Sequence, residues 1–185
     1  MGLLFPSPSD SLNQIASFSV KVGGTNVEDT FKIFEIQTFK EINKLSRALI
    51  SIIGGNPKEN NFDESEESIF STGKEVEISF GYDQSNSLVF KGIISKHSLK
   101  IKRGFQQNKT NNLLVIECVD KAVKLSNTYT SEIYEDKLDS DIINSLISNA
   151  SGVTKNVSFT SVMNEFLPKY NCNDWDFILQ RAEAN

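Results

Sequence analysis

The stretch KEVEISFGYD, Lys74–Asp83, decides the fold class because its apolar and polar side chains alternate. Apolar residues recur at every second position from Val76 to Phe80, which is the period of a half-buried strand. A polar turn follows, and LVFKGIISKHSLKIK, Leu88–Lys102, continues as a long strand pattern. The two runs predict a β-hairpin, with Gly92 as the candidate for a bulge.

Runs of the same β-rich type lie on both sides of this hairpin. They are SFSVKV (Ser17–Val22), FKIFEIQTFKEI (Phe31–Ile42), RALISIIG (Arg47–Gly54) and LLVIECVD (Leu113–Asp120). The last run is apolar at successive positions up to Glu117, which predicts a strand buried on both faces. Together, about six or seven strands with short polar connections indicate a compact antiparallel barrel or sandwich.

The pattern changes near Asn127, where helical periodicity begins. DSDIINSLISNASG, Asp139–Gly152, places its apolar residues on one helical face, with Asp139 or Ser140 as the N-cap and Gly152 just past the end. We expect VSFTSV, which follows, to form a short strand and EFLPKYNC to form an extended link.

The final segment, NDWDFILQRAEAN, reads as the opening of another helix. Asn173 is its expected cap, with Asp176 in the capping-box position. Its predicted buried stripe consists of Trp175, Ile178, Leu179 and Ala182.

The composition argues against several classes of protein. The chain has 185 residues and a net charge of −5, with acidic and basic residues mixed, whereas a phosphate-reading surface needs clustered Lys and Arg. The sequence shows no apolar run of transmembrane length and no pattern of a signal peptide. We therefore expect a cytoplasmic protein that another machine moves, with Cys118 and Cys172 as reduced structural thiols.

The sequence gives little support to an enzyme. The single histidine, His97, lies inside a strand pattern, and no nucleophile-elbow, Walker A, zinc-protease or dinucleotide motif is present. A solvent-facing strand histidine is the favoured interpretation. We predict no catalytic, cofactor-binding or metal-binding residues and no cofactor.

Three acidic groups have plainer explanations than chemistry. DESEES, Asp63–Ser68, has the alternate carboxylates that suit Ca²⁺, but it lacks the glycine and the closing glutamate of an EF-hand, which favours a solvated loop. In YEDKLDSD, Tyr134–Asp141, the last two acids fit a helix N-terminus. Asp174 and Asp176 point to different helix faces, so capping explains them better than a catalytic pair.

Four segments together resemble one known family. GKEVEISFGYD with VFKGIISKHSLKIK resembles the central hairpin in the N-terminal part of the VgrG spike proteins of type VI secretion systems. LLVIECVDKAVKL (Leu113–Leu125) resembles the strand and turn that close the first barrel there. DKLDSDIINSLISNASG is similar to the intervening helix, and NDWDFILQRAEAN resembles the segment that leads into the second barrel.

The resemblance implies a fold that is mainly β with a few helices (α+β). It would contain a phage tail-hub-like antiparallel β-barrel and the start of a second α/β barrel domain. Residues 1–126 would form the first hub barrel, and residues 127–185 the inter-barrel helical segment and the beginning of an incomplete second domain. Trp175 would then be partly exposed for lack of the barrel that it covers.

The implied function is that of a structural hub in a contractile injection machine. Such a hub nucleates the inner tube inside the baseplate and carries the membrane-piercing spike and effectors. Implied partners are two further copies in a homotrimer of the full-length protein, the hexameric inner-tube protein, baseplate proteins, a spike-tip protein and effectors. No nucleic acid is implied, and the target membrane would be met only through the needle.

Other interpretations stay open at the sequence level. A tail-hub or baseplate protein of a contractile phage shares the fold, and a β-rich ligand-binding or adhesion module is a further alternative. The protein would be cytoplasmic during assembly and then secreted or injected by the machine. The loop Gly54–Ser68 is a candidate for contact with a neighbouring subunit or the baseplate.

Overall fold

The computed structural model describes residues 15–54, 68–103 and 110–185 of the chain. It is mainly β with a few helices, as the sequence predicts. Two compact units are present. We call the first, which comprises Arg47–Cys118 and the residues up to Phe39, the barrel unit. The second, Lys40–Ser46 with Val119–Asn185, is the helical unit. The sequence-based division into residues 1–126 and 127–185 stays a prediction.

The barrel unit is built around one seven-stranded sheet with the order β2-β1-β5-β6-β7-β4-β3. Its strands are β1 (Ala16–Val22), β2 (Thr25–Asn26), β3 (Lys32–Phe39), β4 (Arg47–Ile53), β5 (Glu75–Tyr82), β6 (Ser85–Arg103) and β7 (Thr110–Val119). β1 pairs antiparallel with β5, β5 with β6, and β3 with β4. The predicted hairpin is therefore the β5–β6 pair.

One core lies against this sheet, and β1, β4, β5, β6 and β7 all contribute to it. Val20 of β1 faces Ile78 of β5, and both are fully buried. The described residues of this unit include no α-helix that could cover the sheet. Residues of β1 and β4, which lie near opposite edges of the sheet order, belong to the same core, so the sheet curls around its own side chains as in a β-barrel.

The alternation predicted for the first hairpin strand is confirmed. Val76 and Ile78 are fully buried, and Phe80 packs against the same core. The prediction of a bulge at Gly92 is wrong, because Gly92 pairs in register with Val76 and the irregularity lies between Ile78 and Ser79. A glycine within a strand pattern is only an indirect sign of a bulge, since it also occurs where close packing leaves no room.

The prediction for LLVIECVD is confirmed in β7. All four residues from Leu113 to Ile116 are buried, and so is Cys118. The continuous apolar run therefore marks a strand that is covered on both faces, in contrast to the half-exposed β1 and β5.

The helical unit contains a two-stranded antiparallel ribbon and two helices. The ribbon pairs β8 (Tyr129–Leu138) with β9 (Met163–Asn173), and the helices are α1 (Asp139–Ser148) and α2 (Asp174–Glu183). A 3₁₀ helix, Lys121–Ser126, precedes them. A second core joins these elements through Ala122, Leu125, Ile142, Ile143, Leu146, Ala150, Phe177 and Ile178.

Two strand assignments in this unit differ from the sequence-based ones. EFLPKYNC was predicted as an extended link but forms most of β9. VSFTSV was predicted as a short strand but lies outside the strands, just before β9 begins at Met163. Pro168 within β9 conceals the strand because proline usually marks an edge or a break. β8 gave no apolar alternation in the sequence, since much of it is exposed.

Both helices depart in part from their predicted details. The N-cap of α1 is Leu138, not Asp139 or Ser140, and it makes no side-chain capping bond. Ser140 Oγ is buried without a hydrogen-bond partner among the described residues. In α2 the buried residues are Phe177 and Ile178, whereas Ala182, predicted to be buried, is exposed.

Candidate functional site

The start of α2 carries the cap that the sequence predicts. Asn173 is the N-cap, and its Oδ1 accepts a hydrogen bond of 2.8 Å from the backbone N–H of Asp176. In return, Asn173 Nδ2 donates to the Asp176 carboxylate at 2.7 Å. This reciprocal pair satisfies donors at the helix end in the manner of a capping box. It explains Asp176 as a structural residue.

A buried ion pair joins the first residue of α1 to the last turn of α2. The Arg181 guanidinium donates from Nε to Asp139 Oδ1 at 2.6 Å and from Nη2 to Oδ2 at 2.8 Å. Asn164 and Asn185 add donors to the same carboxylate at 3.1 and 2.9 Å. The Arg181 hydrogen bonds hold the pKa of Asp139 below its usual value, against the effect of burial. Asp139 is thus a buried link between helices.

A second buried charge lies beside the start of α2. The Lys169 side chain is almost fully buried; its Nζ pairs with the Asp174 carboxylate and donates to Thr130 Oγ1 at 2.7 Å. Its Nζ also lies 6.0 Å from the centre of the Phe177 ring, which stacks on Tyr134. A buried ammonium is tolerated only when it is paired and hydrogen-bonded, and this one is both.

Both charged clusters are ion pairs within the helical unit. Asp139 is paired with Arg181, and Asp174 is paired with Lys169. Burial and the neighbouring Glu132 raise the pKa of Tyr134, so that its hydroxyl stays protonated and donates to Glu132 at 2.6 Å. These groups fix the geometry of the helical unit.

A mainly apolar recess lies in the helical unit next to Trp175, which is partly exposed as predicted. It has a volume of about 260 Å³. Its lining comprises Lys44, Leu45, Ser46, Asp120, Ala122, Leu125, Ile147, Val153, Thr154, Trp175 and Ile178. This is smaller than the roughly 300–1,000 Å³ of small-molecule sites and suits the side chain of a partner better than a separate ligand.

The remaining residues that the sequence singled out are not brought together. His97 is exposed on β6. Cys118 and Cys172 are both free thiols, and burial raises the pKa of Cys118 to about 12. An inert thiol of this kind fits a structural role.

The acidic loop DESEES, apart from Ser68, and most of Gly54–Ser68 lie outside the described residues. Within residues 15–54, 68–103 and 110–185, no group of three or more His, Cys, Asp and Glu side chains could hold a metal ion. In the same part of the chain, no helix is long and apolar enough to cross a membrane.

Sequence reasoning missed one surface, which is the outer face of the β8–β9 ribbon. Ile133 and Phe166 are both 61% exposed on it, and Tyr170 is 85% exposed. The signal that could have found it is the alternation of apolar residues in EFLPKY, at Phe166, Pro168 and Tyr170. Pro168 and the polar neighbours obscured that period.

The fold is similar to those of a phage tail protein and of a type VI secretion component. The 43 kDa tail protein of prophage MuSo2 from Shewanella oneidensis matches 92% of this chain with a TM-score of 0.66 and 10% identity. The E. coli c3393 protein, a component of the type VI secretion system that is structurally similar to the T4 bacteriophage tail proteins gp27 and gp5, matches 86% with a TM-score of 0.58 and 10% identity. The Francisella PdpA–VgrG complex matches 93% with a TM-score of 0.55 and 13% identity.

The predicted resemblance to the N-terminal region of a tail hub is thereby confirmed at the level of the fold. The chain belongs to the family described as Alg8 N-terminal domain, which matches residues 12–185. No curated protein matches the sequence. The chain spans 48% of the Shewanella protein, 41% of the E. coli protein and 26% of the matched Francisella chain.

Proposed function

We propose that the chain is part of the structural hub of a contractile injection machine. The hub nucleates the inner tube within the baseplate and carries the piercing spike and its effectors. The observation that supports this most strongly is the extent of the fold match, which covers 86% of the chain for a type VI secretion component and 92% for a prophage tail protein. A hub acts by shape and surface, and the described charged clusters stabilise shape.

The physical properties of the barrel unit are consistent with this role. A sheet that curls around its own core leaves few free strand edges, so a strand-rich protein can wait for assembly without edge-to-edge aggregation. Closed symmetry then limits growth of the assembly. In this proposal the full-length protein is a homotrimer that meets a hexameric tube protein, baseplate proteins, a spike-tip protein and effectors.

Two further properties belong to the same proposal. The chain has no enzymatic activity of its own in this proposal, and Asp139 and Asp174, which are paired with Arg181 and Lys169, serve the structure of the helical unit. The protein is made in the cytoplasm, joins the baseplate there, and leaves the cell when the machine fires. The Francisella match, a complex of PdpA with VgrG, supports partnership with another protein of the spike.

The test is to delete the gene in the bacterium that produces the protein and to purify particles for electron microscopy. We expect sheathed particles with a threefold hub in the parent strain and none after deletion, with recovery on complementation by the full-length gene. Normal particles without the protein would contradict the proposal. Particles with DNA-filled heads would assign the hub to a contractile phage instead.

A β-rich ligand-binding module is the alternative from a different class. The recess beside Trp175 is the feature that favours it, but its volume of about 260 Å³ is below the usual size of such sites.

A further inference from the structure

The β8–β9 ribbon has one packed face and one open face. Tyr134 and Leu167 lie opposite each other and pack on the second core, as does Lys169 after them. Because side chains alternate across a strand, Ile133, opposite Pro168, points to the other side. The helices thus cover one face of the ribbon and leave the other uncovered among the described residues.

The open face is apolar over much of its area. Ile133 and Phe166 are diagonal neighbours in the register, and each is 61% exposed. Tyr170, two residues beyond Pro168, is 85% exposed. Single exposed apolar residues are ordinary, but a contiguous set with aromatic members marks an interaction surface. We call Ile133, Glu135, Phe166, Pro168 and Tyr170 the ribbon face.

The ribbon face also carries an acidic group at its centre. Glu135 lies directly opposite Phe166 and has no hydrogen-bond or ion-pair partner among the described residues. The other exposed charged side chains of the two strands are Glu132, Asp136 and Glu165, against one base, Lys137. Covering Glu135 with a neutral apolar partner would bury an unpaired charge, which is strongly unfavourable. The surface therefore selects a partner that brings a cation to Glu135.

The edges of the ribbon are less suitable than its face. Pro168 has no N–H to donate, and Asp136 has a φ of +49°, which interrupts the regular strand. Addition of a continuous strand to either edge would meet one of these residues.

We propose that the ribbon face docks a segment of a separate partner protein that presents apolar side chains and a Lys or Arg side chain on one and the same face. The apolar side chains cover Phe166 and Ile133, and one basic side chain pairs with Glu135. This inference rests on the ribbon alone, so it can hold or fail whether or not the chain builds a tail hub.

The probe is a synthetic peptide of about 12 residues in which Val, Lys and Phe recur at every second position, so that they share one face of an extended chain, with Ser at the positions between them. Its counterpart has Glu in place of Lys. Fluorescence polarisation with the 185-residue chain measures binding. We expect the Lys peptide to bind at least about tenfold more tightly than the Glu peptide, and Phe166→Ser to weaken it by about tenfold. The control, Phe34→Ser, alters a phenylalanine of the barrel unit that is 62% exposed and should leave binding unchanged.

Reversal of the charge at Glu135 is the decisive part of the experiment. Glu135→Lys should reverse the preference, so that the Glu peptide binds more tightly, whereas Asp29→Lys on the barrel unit should not. Equal binding of both peptides, or an unchanged preference in Glu135→Lys, would overturn the proposal. Sedimentation tests whether a second copy of the chain occupies the ribbon face. Self-association that Phe166→Ser abolishes would assign the ribbon face to this second copy and would also overturn the proposal.

Discussion

At the scale of single residues, the helical unit depends on charges that the sequence alone explained differently. Asp139 looked like an acid placed for a helix N-terminus, but Arg181, forty-two positions later, holds it in a buried ion pair. Lys169 lies in the segment that was predicted as an extended link, but it is buried against Asp174. Such pairs stabilise one arrangement of the chain, because separating them would leave a charge buried alone.

Replacement of Asp139 by Asn should destabilise the helical unit by about 3 kcal/mol, because Arg181 would lose its charged partner. The single tryptophan, Trp175, lies in this unit and reports its unfolding by fluorescence in denaturant. The matched control is Asp141→Asn, an exposed acid of the same helical turn, which should cost less than about 0.5 kcal/mol. Equal losses in the two variants would contradict the role of the ion pair.

The same residue predicts a pH dependence. Folding lowers the Asp139 pKa, so its charged form stabilises the folded state above the usual aspartate pKa of about 3.9. That stabilisation is lost as the pH falls through the folded-state pKa. The difference in unfolding free energy between the wild type and Asp139→Asn should therefore be constant from about pH 7 to pH 5 and shrink on further acidification. A difference that grows at low pH would show that the sign is wrong.

At the scale of elements, a strand or a helix was predicted correctly where the pattern lies within that element. The strands β1 and β5 show their alternation, and β7 shows its continuous apolar run. The cap of α2 could be predicted from the sequence because Asn173 and Asp176 interact across a single turn. By contrast, β8 is rich in charged residues, and in β9 Pro168 and the buried Lys169 obscure the alternation, so neither strand was predicted.

The cap predicts a measurable effect on α2. Asn173→Ala removes the acceptor for the Asp176 N–H and should cost about 1–2 kcal/mol, whereas Asn173→Ser retains an acceptor and should cost less. Gln180→Ala, an exposed change in the same helix, serves as the control. The measurement is the midpoint of chemical unfolding, followed by circular dichroism. A serine variant as unstable as the alanine variant would argue against capping as the cause.

At the scale of the whole molecule, the residues that the structure describes form two cores with no residue in common. One is enclosed by the seven-stranded sheet, and the other joins the ribbon to the helices. The short segment Lys40–Ser46 belongs to the helical unit although it lies between β3 and β4 in sequence. Each unit therefore has its own source of stability.

Separate cores predict separate responses to a core substitution. Ile78→Ala should destabilise the barrel unit by about 3 kcal/mol, because it leaves a cavity at a fully buried position. Amide hydrogen exchange should become about a hundredfold faster in β5 and β6, with little change in α2. Ile15→Ala, at a residue that is 75% exposed, is the control and should leave both units unchanged. Equal acceleration in both units would show that they open together.

The sequence by itself determined the fold class, the strands of the barrel unit and the cap at Asn173, because each depends on a period or a spacing of a few residues. Only the tertiary structure decided the partners of Asp139 and Lys169, the strand character of β9 and the open ribbon face. Those features depend on residues far apart in the chain. The attraction between two buried charges depends on their distance in space, and a sequence without its fold does not contain that distance.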